Sequence, residues 1–119
     1  GYTHRDLVIL TIGRHFRLSP LLRVILGRTQ EENERLLALA VSGDIVFTPE
    51  NFRGPTALAL GESEPATEGI IGEMIPAYSQ DELDVWVVRK EVIGGESLTF
   101  AGKKKTARDA FAPLRIGRD

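Results

Sequence analysis

Apolar positions fall in short runs separated by glycine, proline and charged residues, and the spacing within each run predicts an element. Asp6–Ile12 (DLVILTI) is apolar and rich in β-branched residues, which predicts a strand that Gly13 breaks. Arg14–Leu18 alternates, with His15 and Arg17 on one face and Phe16 and Leu18 on the other. Ser19-Pro20 marks a turn, and Leu21–Leu26 reads as a second strand ended by Gly27. Thr29 then reads as a helix N-cap, with Glu32 three residues on completing a capping box. Leu36, Leu37, Ala40 and Val41 form the apolar stripe of this helix, Asn33 lies on the same side, and Ser42-Gly43 stops it.

The second half follows the same grammar. Asp44–Thr48 and Thr56–Leu60 read as strands, joined by the loop Pro49–Arg53 and the turn Gly54-Pro55. Ala66–Tyr78 reads as a second helix, with Ile70, Ile71, Met74, Ile75 and Tyr78 at helical spacing and Pro76 loosening its last turn. Leu83–Val92 is a strong strand; Gly94-Gly95 turns it into Ser97–Phe100. The tail carries a short helix near Thr106–Phe111 and a last strand at Leu114–Ile116. Short connections favour antiparallel pairing. The expected fold is therefore α+β, a mostly antiparallel sheet with two main helices packed on it, in one domain over residues 1–119.

Composition narrows the chemistry. Cysteine is absent, which removes thiolate zinc sites and cysteine catalysis and fits a reducing, cytoplasmic setting. With only His4 and His15, a histidine-rich metal site is also excluded, and no cofactor or metal is expected. No run approaches the ~18 apolar residues of a membrane span. The net charge of −2 argues against a generic polyanion binder, but its distribution does not. Residues 1–28 carry +4 and residues 87–119 carry +4, while residues 29–52 carry −4 and residues 53–86 carry −6. If the ends meet in space, they make one basic face.

Motifs for catalysis are missing. Gly27-Arg28-Thr29 stands at a helix start, where anions are attracted, but neither GxxxxGK[ST] nor GxGxxG is present and Glu31 and Glu32 would repel an anion. The acidic pairs Glu31/Glu32, Glu62/Glu64 and Asp81/Glu82/Asp84 read as caps and solvated faces. No GxSxG elbow supports a Ser-His-Asp set. Basic residues interleaved with aromatic ones are the better signal. His15, Phe16 and Arg17 share one strand, Tyr78 ends a helix, and Lys103–Lys105 form the densest positive run. Single-stranded nucleic acid is held by this combination of positive groove and ring.

The stretch VILGRTQEENERLLALAVSGDIVFTPENFRGPTALAL resembles the central signature of the NFACT-R family, on Gly27, Arg28, Glu32, Asn33, Leu36, Asp44, Phe47 and Gly54. EGIIGEMIPAYSQ is similar to the family's helix ending in Tyr-Ser, at Tyr78 and Ser79. The resemblance covers about residues 22–80 and implies RNA binding. One branch of the family belongs to ribosome quality-control factors. The upstream GRHFRLSP block looks closer to a second branch, a C-terminal module of tRNA-thiolating ATP pyrophosphatases similar to ThiI. Thr48 and Thr56 replace histidines of the first branch, and Gln80-Asp81-Glu82 replaces its basic residues after Tyr-Ser.

These readings converge on a tRNA-binding accessory domain, excised from a larger enzyme and not itself an enzyme, whose partners are tRNA and the parent's catalytic domain. The candidate RNA contacts are Arg14, His15, Arg17, Arg28, Arg53, Tyr78, Lys103, Lys104 and Lys105, with His15 or Tyr78 offering a ring to a base. The alternative is a protein–protein docking module of the same enzyme that uses the acidic middle.

Overall fold

The computed structural model describes residues 3–102 and 107–117. Six strands form one sheet in the order β1-β2-β4-β3-β5-β6, and every neighbouring pair is antiparallel. The strands are β1 (Arg14–Ser19), β2 (Leu22–Leu26), β3 (Ile45–Pro49), β4 (Ala57–Gly61), β5 (Trp86–Val92) and β6 (Ser97–Gly102). The helices are α1 (His4–Ile9), α2 (Gln30–Leu39) and α3 (Pro65–Ala77), followed by a 3-10 helix at Arg108–Leu114. The architecture is the expected α+β.

Alternation along the strands divides the core in two. Phe16, Leu22, Val24, Leu26, Phe47 and Val88 face α3 and the 3-10 helix, where Ile71, Met74, Ile75 and Phe111 meet them. On the opposite face Ile25, Val46 and Leu58 pack against Ile9 and Ile12, from α1 and the turn after it, and Leu36 from α2. Both faces of the central strands are thus covered, while Arg17 on β1 and Leu98 and Thr99 on β6 stay exposed.

The predicted strand at Asp6–Ile12 is instead the helix α1 and the turn after it. Its start is a reciprocal cap: Thr3 Oγ1 accepts from the Asp6 N–H and Asp6 Oδ2 accepts from the Thr3 N–H, at 3.1 and 3.0 Å. Burial follows three-residue spacing, with Ile9 and Ile12 inside and Leu7 and Leu10 outside, where a strand would alternate. Arg5 fastens α1 to the far end of α2, donating to Leu39 O (2.8 Å) and Asp44 Oδ2 (2.6 Å).

The α2 stripe is narrower than its sequence suggests. Leu36 is fully buried, but Leu37 and Val41 are 45% and 50% exposed. The helix ends at Leu39, and Ala40 is already extended, so Val41 lies beyond the helical register. Helix α3 buries Ile71, Met74 and Ile75 as its spacing predicts. Its last turn tightens around Pro76, with Tyr78 N–H bonding to Ile75 O. In the tail, the predicted strand at Leu114–Ile116 is a single bridge between Arg115 and Phe16, with the Ile116 N–H donating to His15 O (2.9 Å). That bridge brings the end of the chain to the outer edge of β1. The predicted short helix at Thr106–Phe111 appears as the 3-10 helix, with Thr106 outside the described residues.

Candidate nucleic-acid interface

The junction between β2 and α2 sets the geometry of the site. Gly27 ends β2, and a Cβ there would stand 2.0 Å from Asn33 Oδ1. Only a glycine lets the Asn33 amide reach across the junction, where its Oδ1 accepts from the Thr56 N–H (3.0 Å). The Gly27 N–H in turn donates to Thr56 O (3.0 Å). Helix start, strand end and the segment leading into β4 are therefore locked together through one side chain. Thr29 caps α2 by accepting from the Glu32 N–H (3.1 Å). The expected reciprocal bond does not form. Glu32 turns back to Arg28, accepting from its N–H (2.9 Å), its Nε (3.1 Å) and its Nη2 (2.8 Å). The Arg28 hydrogen bonds hold the Glu32 carboxyl down at about 2. The guanidinium is fixed by this fork, and the side chain remains 46% exposed.

A second lock positions Arg53 and Tyr78. Ser79 Oγ donates to Arg53 O (2.6 Å), Asp81 Oδ2 accepts from the Arg53 N–H (2.8 Å), and the Asp81 N–H donates to Ser79 Oγ (3.0 Å). The Ser79 side chain thus ties the end of α3 to the loop before β4. Tyr78, half-buried, meets Phe16 edge-on at 6.3 Å between ring centres. Arg14 and Arg108 place their guanidinium carbons 5.0 and 5.3 Å from the Tyr78 ring centre, and Arg115 lies 5.3 Å from that of Phe16. The edge-to-face pair Phe16 and Tyr78 thus lies beneath three arginines from opposite ends of the chain.

These side chains line an open cleft of about 440 Å³ whose walls include Arg14, Arg28, Arg53, Tyr78 and Arg108. A contiguous cleft adds Arg115 beside Arg14, Arg28, Tyr78 and Arg108. The acids at its rim are Asp81 and Asp109. Among the described residues, Arg14, Arg53 and Arg108 form no ion pair. The site is a preorganised concentration of guanidinium groups suited to phosphate.

Of the residues singled out from sequence, the structure brings Arg14, Arg28, Arg53 and Tyr78 together. The Tyr78 ring already carries two guanidinium groups, so its place is beneath the arginines rather than as a bare platform for a base. His15 points to the other face of the sheet, its Nε2 2.9 Å from Ile12 O. Burial is the main cause that lowers its pKa, so the ring is neutral at neutral pH. Arg17 is apart from the cleft and donates to Pro20 O (3.2 Å). Lys103–Lys105 lie outside the described residues. Sequence reasoning missed Arg108 and Arg115; the signal for them was the +4 charge of residues 87–119 and the last strand expected at Leu114–Ile116.

A family model described as "NFACT protein RNA binding domain" matches residues 13–105. No curated protein matches. Among solved structures, the chain is similar to the C-terminal part of the fibronectin/fibrinogen-binding protein from Streptococcus suis, with a TM-score of 0.69 at 11% identity. The match covers 88% of this chain and 49% of that one, so the chain spans about half the length of that structure. At this identity the likeness concerns the fold.

Proposed function

The chain belongs to the family of NFACT RNA-binding domains, and from that premise we propose that it holds RNA by its phosphate backbone in the arginine cleft. The observation that carries this reading is the convergence of Arg14, Arg28, Arg53, Arg108 and Arg115 from separate segments on one cleft around Tyr78. Phosphate contacts of this kind fix position on a nucleic acid without reading its sequence. Helices pack on the central strands from both sides, and on this reading the grip on the backbone lies in the cleft where the guanidinium groups converge. Glu32 keeps Arg28 in one orientation, which reduces the side-chain entropy lost when a phosphate arrives.

The finer reading is an accessory module, not an enzyme, that delivers tRNA to the catalytic domain of a larger cytoplasmic protein. Its similarity to the module of ThiI-like tRNA-thiolating enzymes, through GRHFRLSP, supports that context. The test is a filter-binding titration with bulk tRNA at two salt concentrations. Binding should weaken by ~0.7–0.9 log units per log unit of salt for each phosphate neutralised. Absence of salt-sensitive binding at low salt would overturn the RNA reading in favour of a protein-docking module.

A further inference from the structure

Arg17 and Arg23 stand directly opposite each other in the β1–β2 register. Like charges in that position destabilise an antiparallel pair. Among the described residues neither is neutralised by an ion pair. Alternation puts His15 on the same face, and a groove beside it is lined by Thr11, Gly13, His15, Arg23, Arg28 and Arg115. Arg28 and Arg115 also line the arginine cleft. The two positive surfaces are thus continuous around the end of the β1–β2 hairpin. Of the nearby acids, Glu32 is engaged on Arg28, and Asp6, its carboxyl lowered chiefly by the Thr3 hydrogen bonds of the α1 cap and to a lesser extent by the charge of Arg23, forms no ion pair with that arginine.

We infer that the hairpin face carrying His15, Arg17 and Arg23 is a second phosphate-binding surface, reached by an RNA strand that leaves the cleft and crosses Arg28 and Arg115. The inference rests on the reading of the cleft as an RNA site and adds the direction in which the strand continues. Arg17 and Arg23 share one register position on neighbouring strands, with Arg17 reaching toward the turn at Pro20 and Arg23 lining the groove, so a polyanion laid along the hairpin meets both charges and offsets their repulsion. The contacts are to the backbone and independent of sequence. His15 is held to the Ile12 carbonyl and lies beside the path.

The experiment compares a single-stranded tetranucleotide, short enough for the cleft alone, with a dodecanucleotide that reaches both surfaces. The pair Arg17→Gln and Arg23→Gln should leave tetranucleotide binding unchanged, which also reports an intact fold. For the dodecanucleotide it should lower the salt slope by ~1.4, about 0.7 for each of two contacts. The charge-retaining pair Arg17→Lys and Arg23→Lys should keep the parental slope. If the Gln pair leaves the dodecanucleotide slope unchanged while Arg14→Gln with Arg53→Gln lowers it, the second surface is refuted and the cleft stands. Equal loss in the Lys and Gln pairs would also refute it. If the unaltered protein binds neither oligonucleotide, the cleft reading itself fails.

Discussion

Replacing Gly27 with alanine tests the junction that organises the site. The new Cβ would stand 2.0 Å from Asn33 Oδ1 and 3.0 Å from the Asn33 backbone nitrogen. The side-chain oxygen must move, and the Thr56 N–H then loses its acceptor. Thr56 is only 5% exposed, so water does not replace that acceptor freely. Leaving a buried donor unsatisfied costs about 1–3 kcal/mol, and local strain from the crowded junction adds to it. Asn33→Ala loses the same hydrogen bond by a different route, so it should cost about the same 1–3 kcal/mol. The two losses are one event seen twice. The double variant, whose alanine at 33 no longer opposes the new methyl group, should therefore be less destabilised than the sum of the singles by ~1 kcal/mol or more. Urea unfolding of the four proteins supplies the cycle, provided the slope with denaturant stays constant. Additivity within ~0.5 kcal/mol would show that Gly27 and Asn33 act independently and would refute the steric argument.

Other outcomes follow from the same geometry. Tyr78→Phe should preserve the orientation of Arg14 and Arg108 and bind RNA as the parent does, whereas Tyr78→Ala should weaken binding; equal loss in both would place the hydroxyl in the interface. The Glu32 carboxyl, held at about 2, favours the folded state above the ordinary carboxylate range, and that contribution disappears as pH falls toward 2. The stability gap between the parent and Glu32→Gln should thus narrow between about pH 5 and pH 2 in acid-unfolding curves, and a gap independent of pH would contradict it. Arg5→Ala removes two hydrogen bonds that fasten α1, each to a charged or polar acceptor worth about 1–3 kcal/mol. Its signature is faster hydrogen exchange confined to α1, and uniform acceleration throughout the sheet would point to global loss instead.

Much of the fold was legible because its strands are short apolar runs bounded by glycine and proline and the helix α2 carries a strong start signal. Thr29 caps α2, and the spacing of Ile71, Met74 and Ile75 placed α3 correctly. Helix α1 escaped because β-branched composition outweighed Thr3-x-x-Asp6, a cap signature that precedes the run. The site was legible where a motif fixes it: Gly27, Asn33 and Ser79 are backbone fasteners, and their sequence neighbours Arg28 and Tyr78 are carried into place. Alternation separated His15 from Phe16 correctly, yet it also put Arg14 on the opposite side from His15 and Arg17. No local pattern could join Arg108 and Arg115 to Arg14, because that meeting depends on the tail crossing to β1.

That crossing has a consequence in time. The arginine cleft unites residue 14 with residues 108 and 115, so it is closed by one of the longest loops the chain contains. Loop closure over such a separation is entropically costly and slow compared with hairpin formation. During synthesis the sheet can assemble while the binding surface still lacks two of its five arginines. On the proposed reading of the cleft, competence to grip a phosphate backbone arrives only after residue 115 has been made and docked. Occupancy by RNA, in turn, should hold the tail against β1 and slow its release.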